Sequence, residues 1–330
     1  MSVIEAIQRS IQDAEQILVV THVGPDGDAL GSLTAVAAAL TQWEKSFTLV
    51  CDDALPRRFD FLPFSDQIRQ QPDPAVPYDL LIAVDCGDEL RMGKAFAELP
   101  EERPTIINID HHVTNTRFGD INIIEADSTS TAEVLVRLFR SFGITFTPEL
   151  AMSLLTGLVT DTLGFRTNSV TAQTMKIAGD LIDVGADLDL VMTQTMTVKP
   201  LSTIQLWRIG LNKMKMDGGL FWTSISNEER DAIGYPNAST AGLVNLMADI
   251  EEAAVGVVLM EADDGTVRVG FRCRPPYNVS EVALNLGGGG HALAAGCTLP
   301  GPLAKAEVLV VALTKDSIRQ QEAVMKDGHR

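Results

Sequence analysis

Four short apolar runs govern what the first half of this chain can become: QILVV (16–20), FTLVC (47–51), DLLIAVD (79–85) and TIINID (105–110). Each is rich in β-branched residues and continuous rather than alternating. A strand with one wet face alternates apolar and polar side chains, whereas a continuous run fits a strand buried on both faces. Between the first two runs, Leu30, Leu33, Val36, Ala37 and Leu40 recur at helical spacing. That completes a βαβ unit. The fold expected is α/β: an N-terminal doubly wound, mainly parallel sheet domain, followed by a smaller C-terminal α/β domain with a cleft between them.

Helices follow the runs. Ser130 and Glu133 read as a capping box, opening a helix to Phe142 that Gly143 closes. Thr147-Pro148 opens another, with proline at the first helical position. A third runs from Thr171 to Val184 and stops at Gly185. From Ala186 to Leu211 there is no strand signal. After Gly219 strands return as LFWTSIS, AVGVVLME and TVRVGFRCR, the last two forming a hairpin that turns at Asp263-Asp264-Gly265. The expected domains are 1–188, a connector at 189–212, and 213–330. The polar tail from Lys315 is expected to fray.

Composition narrows the function. A net charge of −18 argues against a broad grip on long nucleic acid, which needs many cations on phosphates. Low aromatic content argues against a stacking platform for single strands. No apolar run reaches the roughly 18–20 residues of a membrane span. The opening MSVIEAIQRSIQDAEQ reads as an amphipathic helix and not as a signal peptide. Cys51, Cys86, Cys273 and Cys297 are widely spaced, which fits reduced thiols in a cytoplasmic protein.

Five segments carry chemistry. His22, Asp26 and Asp28 follow the first run and precede a helix, where sites form in open α/β sheets. In an extended segment the two acids, two residues apart, would point the same way; Asp-Gly-Asp is equally at home in a solvated turn. Asp85 ends the third run, as an acid at the sheet edge or one facing water. Asp110-His111-His112 ends the fourth, where alternation lets the two imidazoles do different jobs. Asp161 ends a helix, where the dipole disfavours a carboxylate and a cation would offset it. Gly287 to Gly290 and His291 form a flexible linker or a cradle of amides for an anion, with Arg272 and Arg274 just upstream. Together His22, Asp26, Asp28, Asp85, His111 and Asp161 supply four carboxylates and two imidazoles. That is too many ligands for one structural zinc and suits two ions of Mn(II), Mg(II) or Fe(II), with Mn(II) preferred. Such a pair clamps the attacking and leaving oxygens of a phosphoryl displacement.

With these residues in place, the sequence resembles the DHH phosphoesterases, in HVGPDGDALGS (22–32), VDCGD (84–88), Asp110-His111-His112, TDT (160–162) and GGGGHALAAG (287–296). The motifs fall in the family's order over nearly the whole chain. The C-terminal stretch is similar to the substrate domain of the small oligoribonuclease/pAp phosphatase subgroup. The resemblance implies one metal at His22, Asp26 and Asp85, and a second at Asp28, Asp85, His111 and Asp161. Asp110 would orient a ligand, and His112 would stabilise charge on the scissile phosphate. Arg272, Gly288, Gly289 and His291 would hold the substrate's terminal phosphate or nucleotide. One departure is LGFRTNS after Asp161, where relatives often carry a GSFRY-like run: Arg166 matches, and Thr167 replaces an aromatic. The activity implied is manganese-dependent hydrolysis of very short oligoribonucleotides to mononucleotides and removal of the 3′-phosphate of pAp. The alternative is a phosphodiesterase for cyclic di-AMP or pApA. A homodimer is expected from base rates.

Overall fold

A computed structural model describes residues 2–99, 103–235 and 238–327. The chain divides into two compact units, Met1–Val198 and Lys199–Arg330.

The first unit begins with α1 (Val3–Asp13), then β1 (Gln16–Val20), α2 (Gly27–Gln42), β2 (Ser46–Val50), β3 (Ile68–Arg69), β4 (Leu80–Val84), α3 (Lys94–Ala97), β5 (Thr105–Asp110) and β6 (Ile121–Ile124). Four helices follow: α4 (Thr131–Ser141), α5 (Pro148–Asp161), α6 (Ala172–Val184) and α7 (Leu188–Met192). The strands form one sheet in the order β3-β2-β1-β4-β5-β6, with every pairing parallel. The apolar runs are its central strands, and both of its faces are buried. Ile17, Val19, Ile82 and Ile109 look toward α2, α4 and α5. Leu18, Val20, Leu81 and Ala83 look the other way, toward Met92 and Ala95. Burying each such side chain contributes roughly 1.5–3 kcal/mol.

This strand order positions the site. The chain winds outward one way from β1 through β2 and β3, and the other way from β4 through β5 and β6. The switch point lies between β1 and β4, and the crevice forms beyond their carboxyl ends. There Thr21 Oγ1 donates to Val84 O at 3.0 Å and ties the two strand ends together.

The helix signals describe real caps. Thr147 caps α5 with Pro148 at its first turn, and Thr171 caps α6 with Gly185 beyond its end. Ser130 caps α4, but the reciprocal half of its box is absent: the Glu133 carboxylate turns to Thr129, taking its N–H at 3.2 Å and its hydroxyl at 2.6 Å. β3 and β6, short strands at the two edges of the sheet, were not among the expected strands.

The second unit holds α8 (Leu201–Asn212), β7 (Lys215–Asp217), β8 (Leu220–Ile225), α9 (Asn227–Asp231), α10 (Leu243–Ala248), β9 (Val255–Glu261), β10 (Thr266–Cys273), α11 (Ser280–Asn285), β11 (Gly289–His291), β12 (Ala294–Pro300) and α12 (Leu303–Asp327). Its sheet runs β11-β12-β10-β9-β8-β7 and is mixed: β8 and β9 pair parallel, the rest antiparallel. The hairpin turn at Gly265 is present, with φ +77. The expectation that the tail frays from Lys315 is corrected. α12 continues to Asp327 because Ile318 is buried in the core and Gln321 exchanges hydrogen bonds with Asn278. Among the described residues no helix is long and apolar enough to cross a membrane.

Candidate metal centre

Five elements of the first unit deliver the six ligand candidates to one place. His22 follows β1 and Asp85 follows β4; His111 follows β5 directly. Asp26 is the N-cap of α2, its Oδ1 accepting from the N–H groups of Asp28 and Ala29 at 3.0 Å. Asp28 sits in the first turn of α2, and Asp161 is the last residue of α5. The acids 26 and 28 therefore do not share an extended segment. The helix begins between them and sends their carboxylates to different clusters.

Two clusters are made of the six candidates alone, His22–Asp26–Asp85 and Asp28–His111–Asp161; a third group with ligand spacing, Asp85–Asp110–His111–His112, overlaps them. In the first, His22 Nε2 lies 3.4 Å from Asp85 Oδ2 and 3.9 Å from Asp26 Oδ1. In the second, His111 Nε2 lies 3.3 Å from Asp161 Oδ2, 3.7 Å from Asp85 Oδ1 and 4.0 Å from Asp28 Oδ2. Asp85 thus turns one oxygen to each cluster. Ligand atoms about 2.1 Å from a shared ion stand roughly 3–4 Å apart, so these spacings fit a cation in each cluster. The imidazoles are held accordingly. His22 Nδ1 faces the carbonyl of Val23 at 2.9 Å, and His111 Nδ1 faces that of Ser128 at 3.3 Å. A carbonyl only accepts, so each Nδ1 carries the proton and each Nε2 offers a lone pair to the cluster.

Charge is concentrated here beyond what burial tolerates. Asp28, fully buried, is pushed well above the carboxylate range by burial and by Asp85, Asp161 and Asp26. Burial raises Asp161 as well, to about 6, against the pull of His111. Burial would also raise Asp85, but the hydrogen bond and charge of His22, with His111 and His112, hold it below its usual value. Burial disfavours charge on His22, yet Asp85, the Val23 carbonyl and Asp26 together outweigh it and the pKa rises. A cluster that resists holding its own negative charge is one that a cation completes.

Helix geometry aims the carboxylates. Asp28 accepts from Thr131 N at 2.6 Å and Ala132 N at 3.0 Å, so the N-terminus of α4 grips both its oxygens. The Thr131 hydroxyl donates to Asp85 Oδ1 at 2.9 Å. A Cβ added at Gly157 of α5 would stand 2.5 Å from Asp28 Oδ1 and 2.6 Å from Ala132 Cβ. One at Gly31 of α2 would stand 2.5 Å from Ser153 O. These two glycines let α2 and α5 approach closely enough for Asp28 and Asp161 to meet.

His112 lies beside the second cluster, its Nδ1 3.7 Å from Asp85 Oδ1, and is not among the six ligand candidates. Its Nδ1 lies 2.7 Å from Asp110 Oδ1, and its side chain is 40% exposed, leaving Nε2 for solvent or substrate. The hydrogen bond to Asp110 outweighs burial and raises His112 to about 9. Burial opposes charge on Asp110, but His112 and Asn115 hold it down at about 2. Arg166 is exposed, with its Nε donating to Leu163 O at 2.8 Å and no ion pair among the described residues.

In the second unit the glycine run is not an open cradle. Gly287, at φ +77, ends α11 in a Schellman turn: its N–H goes to Leu284 O at 2.9 Å and that of Gly288 to Ala283 O at 2.9 Å. Those two amides are spent. A Cβ at Gly288 would fall 2.5 Å from Cys297 Cβ, so close packing requires the second glycine. The run then becomes strand β11. Register places Arg272 opposite Ala294, and Ala294 opposite His291. Directly paired residues share a face, so the guanidinium and the imidazole flank one small side chain, their strands about 10 Å apart. The adjacent row on that face is Gly270, Gly296 and Gly289; Thr240 and Val244 cover Gly270, while the space over Gly289 is open. Arg274 turns away and donates to Ile250 O at 2.7 Å.

Sequence reading passed over Thr131, Gly157, Gly31, Asn108 and Asn115. The first two could have been suspected from small or hydroxylic residues one helical turn from a ligand. The asparagines carried no signal.

The N-terminal domain pattern of the DHH family matches residues 16–158, and the DHHA1 domain pattern matches residues 230–315. The bifunctional oligoribonuclease and PAP phosphatase NrnA of Thermus thermophilus is 33% identical over 286 residues, 86% of this chain and 84% of that protein. The chain belongs to the DHH family. As a member it is a hydrolase of phosphoester bonds. The NrnA of Bacillus subtilis, also named a bifunctional oligoribonuclease and PAP phosphatase, is 24% identical over 88% of this chain and 91% of its own length. Among solved structures, an exopolyphosphatase-related protein from Bacteroides fragilis shares the fold across 98% of this chain and 97% of its own, with TM-score 0.86 at 24% identity. RecJ of Thermus thermophilus in complex with Mn²⁺ matches at TM-score 0.55 and 14% identity, covering 97% of this DHH-family chain and 54% of RecJ.

Proposed function

We propose that this protein hydrolyses very short oligoribonucleotides to mononucleotides and removes the 3′-phosphate of pAp, using two Mn(II) ions, in the cytoplasm and as a homodimer. The observation that carries the reading is Asp85, whose two oxygens face two separate His–Asp clusters. His22, Asp26 and Asp85 would hold one ion; Asp28, Asp85, His111 and Asp161 the other. Once bound, such ions lower the pKa of the attacking water and neutralise charge on the phosphate oxygens. The chain's own groups do the rest. Asp110 keeps the proton of His112 on Nδ1 and orients the ring, so that Nε2 meets the scissile phosphate. Arg272 and His291, with Gly289 beside them, would take the substrate's terminal phosphate or nucleotide, and the exposed Arg166 would add a cation; the Gly288 amide is already committed to Ala283 O. Short substrates suit a chain of net charge −18, because the ions and a few local cations replace a basic track.

The test is a panel assayed with Mn(II) and again with Mg(II): a dinucleotide, a pentanucleotide, a 24-mer, pAp, pApA and cyclic di-AMP, with products resolved by length. Turnover of the dinucleotide and pAp, with the 24-mer spared, supports the reading. A protein that leaves both intact while cleaving cyclic di-AMP or pApA overturns it in favour of the alternative.

A further inference from the structure

His112 can meet a phosphate reproducibly only if its ring is held, and the contacts that hold it end on Asn115. This side chain lies in the loop after β5. Its Nδ2 is 2.6 Å from Asp110 Oδ2, 3.0 Å from Asn108 Oδ1 and 3.0 Å from Cys86 O. Its Oδ1 accepts from Arg117 N at 2.6 Å. Three acceptors on one end and a donor on the other fix the orientation of the amide without ambiguity. The shortest of the three contacts goes to the carboxylate, the strongest acceptor.

Asp110 is fully buried, and protein groups supply its hydrogen bonds. Its Oδ1 takes His112 Nδ1 at 2.7 Å and His111 N at 2.8 Å. Rotation of an aspartate carboxylate about its last torsion is soft. With Oδ2 clamped by Asn115, Oδ1 is fixed under the imidazole. Asn108, also buried, donates to the same carbonyl of Cys86 at 3.0 Å. One amide therefore joins the carboxylate beneath His112, the loop that carries Asp85, and the turn at Arg117, which adopts φ +56.

We propose that Asn115 is a positioning residue for hydrolysis, acting through Asp110 to aim His112 at the substrate. The inference rests on the reading of His112 as the group that meets the scissile phosphate.

A double-mutant cycle tests it, with wild type, Asn115→Ala, Asn115→Asp, His112→Gln and the Asn115→Ala/His112→Gln double variant. Each is assayed with Mn(II) on a 5′-phosphorylated dinucleotide and on bis(p-nitrophenyl) phosphate, with metal affinity and melting measured alongside. Asn115→Ala lowers kcat by about 10–100-fold, as loss of a partner that orients a site residue does. KM and metal affinity stay within roughly threefold, since binding is left intact. In the His112→Gln background the same change costs less than about twofold, the signature of groups acting as one unit. Asn115→Asp keeps the acceptor for Arg117 but sets an oxygen against Asp110, and is as impaired as the alanine variant. Equal losses in both backgrounds, a wild-type rate for Asn115→Asp, or a loss carried by KM or metal affinity would overturn the proposal. If wild type cleaves only the nitrophenyl ester, the substrate reading fails and the cycle still decides the role of Asn115.

Discussion

Replacing Asp161 by Asn should make the metal-free protein more stable while weakening its response to metal. Burial raises the Asp161 pKa from 3.8 to about 6, and the side chain is 29% exposed. A folded pKa above the unfolded one means stability that is present below pH 3.8 and lost as pH rises through about 6. The shift is about two units, and each unit is 1.36 kcal/mol, so the ionised group costs the metal-free fold about 3 kcal/mol at neutral pH. The pull of His111 at 3.3 Å is already contained in that net value. Asn removes the charge and keeps the shape. In EDTA, Asp161→Asn and wild type should melt together near pH 4 and diverge between pH 4 and 6. At pH 7.5 the variant should melt higher by up to roughly 6–12 °C, taking about 2–4 °C per kcal/mol for a unit of this size. Added Mn(II) should reverse the order, because wild type gains by binding and the variant loses a ligand. Calorimetric melts at pH 4, 5.5 and 7.5, with EDTA or Mn(II), decide it. A variant that melts at or below wild type in EDTA at pH 7.5 refutes the claim that this carboxylate strains the fold.

Three further outcomes follow from other contacts. Gly157→Ala drives a methyl against Asp28 Oδ1 and Ala132 Cβ; overpacking of this kind costs about 1–3 kcal/mol, and Mn(II) titration should show weakened affinity together with a lower melting temperature. Arg272→Ala should raise KM for the phosphorylated dinucleotide by at least about tenfold while leaving kcat on bis(p-nitrophenyl) phosphate unchanged, the pattern of lost uniform binding. Ile318→Ala removes a fully buried side chain from α12 and should cost about 2–5 kcal/mol; urea unfolding followed by the fluorescence of Trp222 should shift to lower denaturant if the tail is packed as described, and should not shift if it frays.

How much of this was legible depends on the range over which each signal acts. The central strands could be read because burial on both faces writes itself as a continuous apolar run. Caps could be read because Thr147, Ser130 and Thr171 act within four residues. The ligand candidates stood out because acids and histidines ended those runs. The edge strands β3 and β6 were invisible: Ile68–Arg69 is too short to carry a pattern, and Ile121–Ile124 is half-buried throughout. The tail misled because Lys315 to Asp327 is polar on average, while its anchor is one isoleucine and one glutamine meeting residues some forty positions away. Asn115 could not be found because VTNTRF has the composition of any solvated turn; its importance lies in what β5 and the loop after β4 bring to it.

Several places where local rules fail lie next to the ligand candidates. Asp85 adopts φ +60, and Leu163 and Phe165, just beyond Asp161, adopt φ +51 and +63. Left-handed backbone costs an L-residue about 1–2 kcal/mol. Two buried carboxylates titrate above their ordinary range beside them. None of these features favours the metal-free fold, although left-handed backbone is not confined to them: Glu44, Phe64 and Arg117 adopt it elsewhere in the first unit. Such costs persist where surrounding structure overdetermines them and where binding repays them. Here the overdetermining parts are visible: the N-terminus of α4 on Asp28, the hydroxyl of Thr131 on Asp85, and the carbonyl of Ser128 behind His111. They hold the carboxylates close together in the structure described. We therefore expect metal binding to bring little structural change and a large gain in stability. Asp161→Asn should collect part of that gain without the metal.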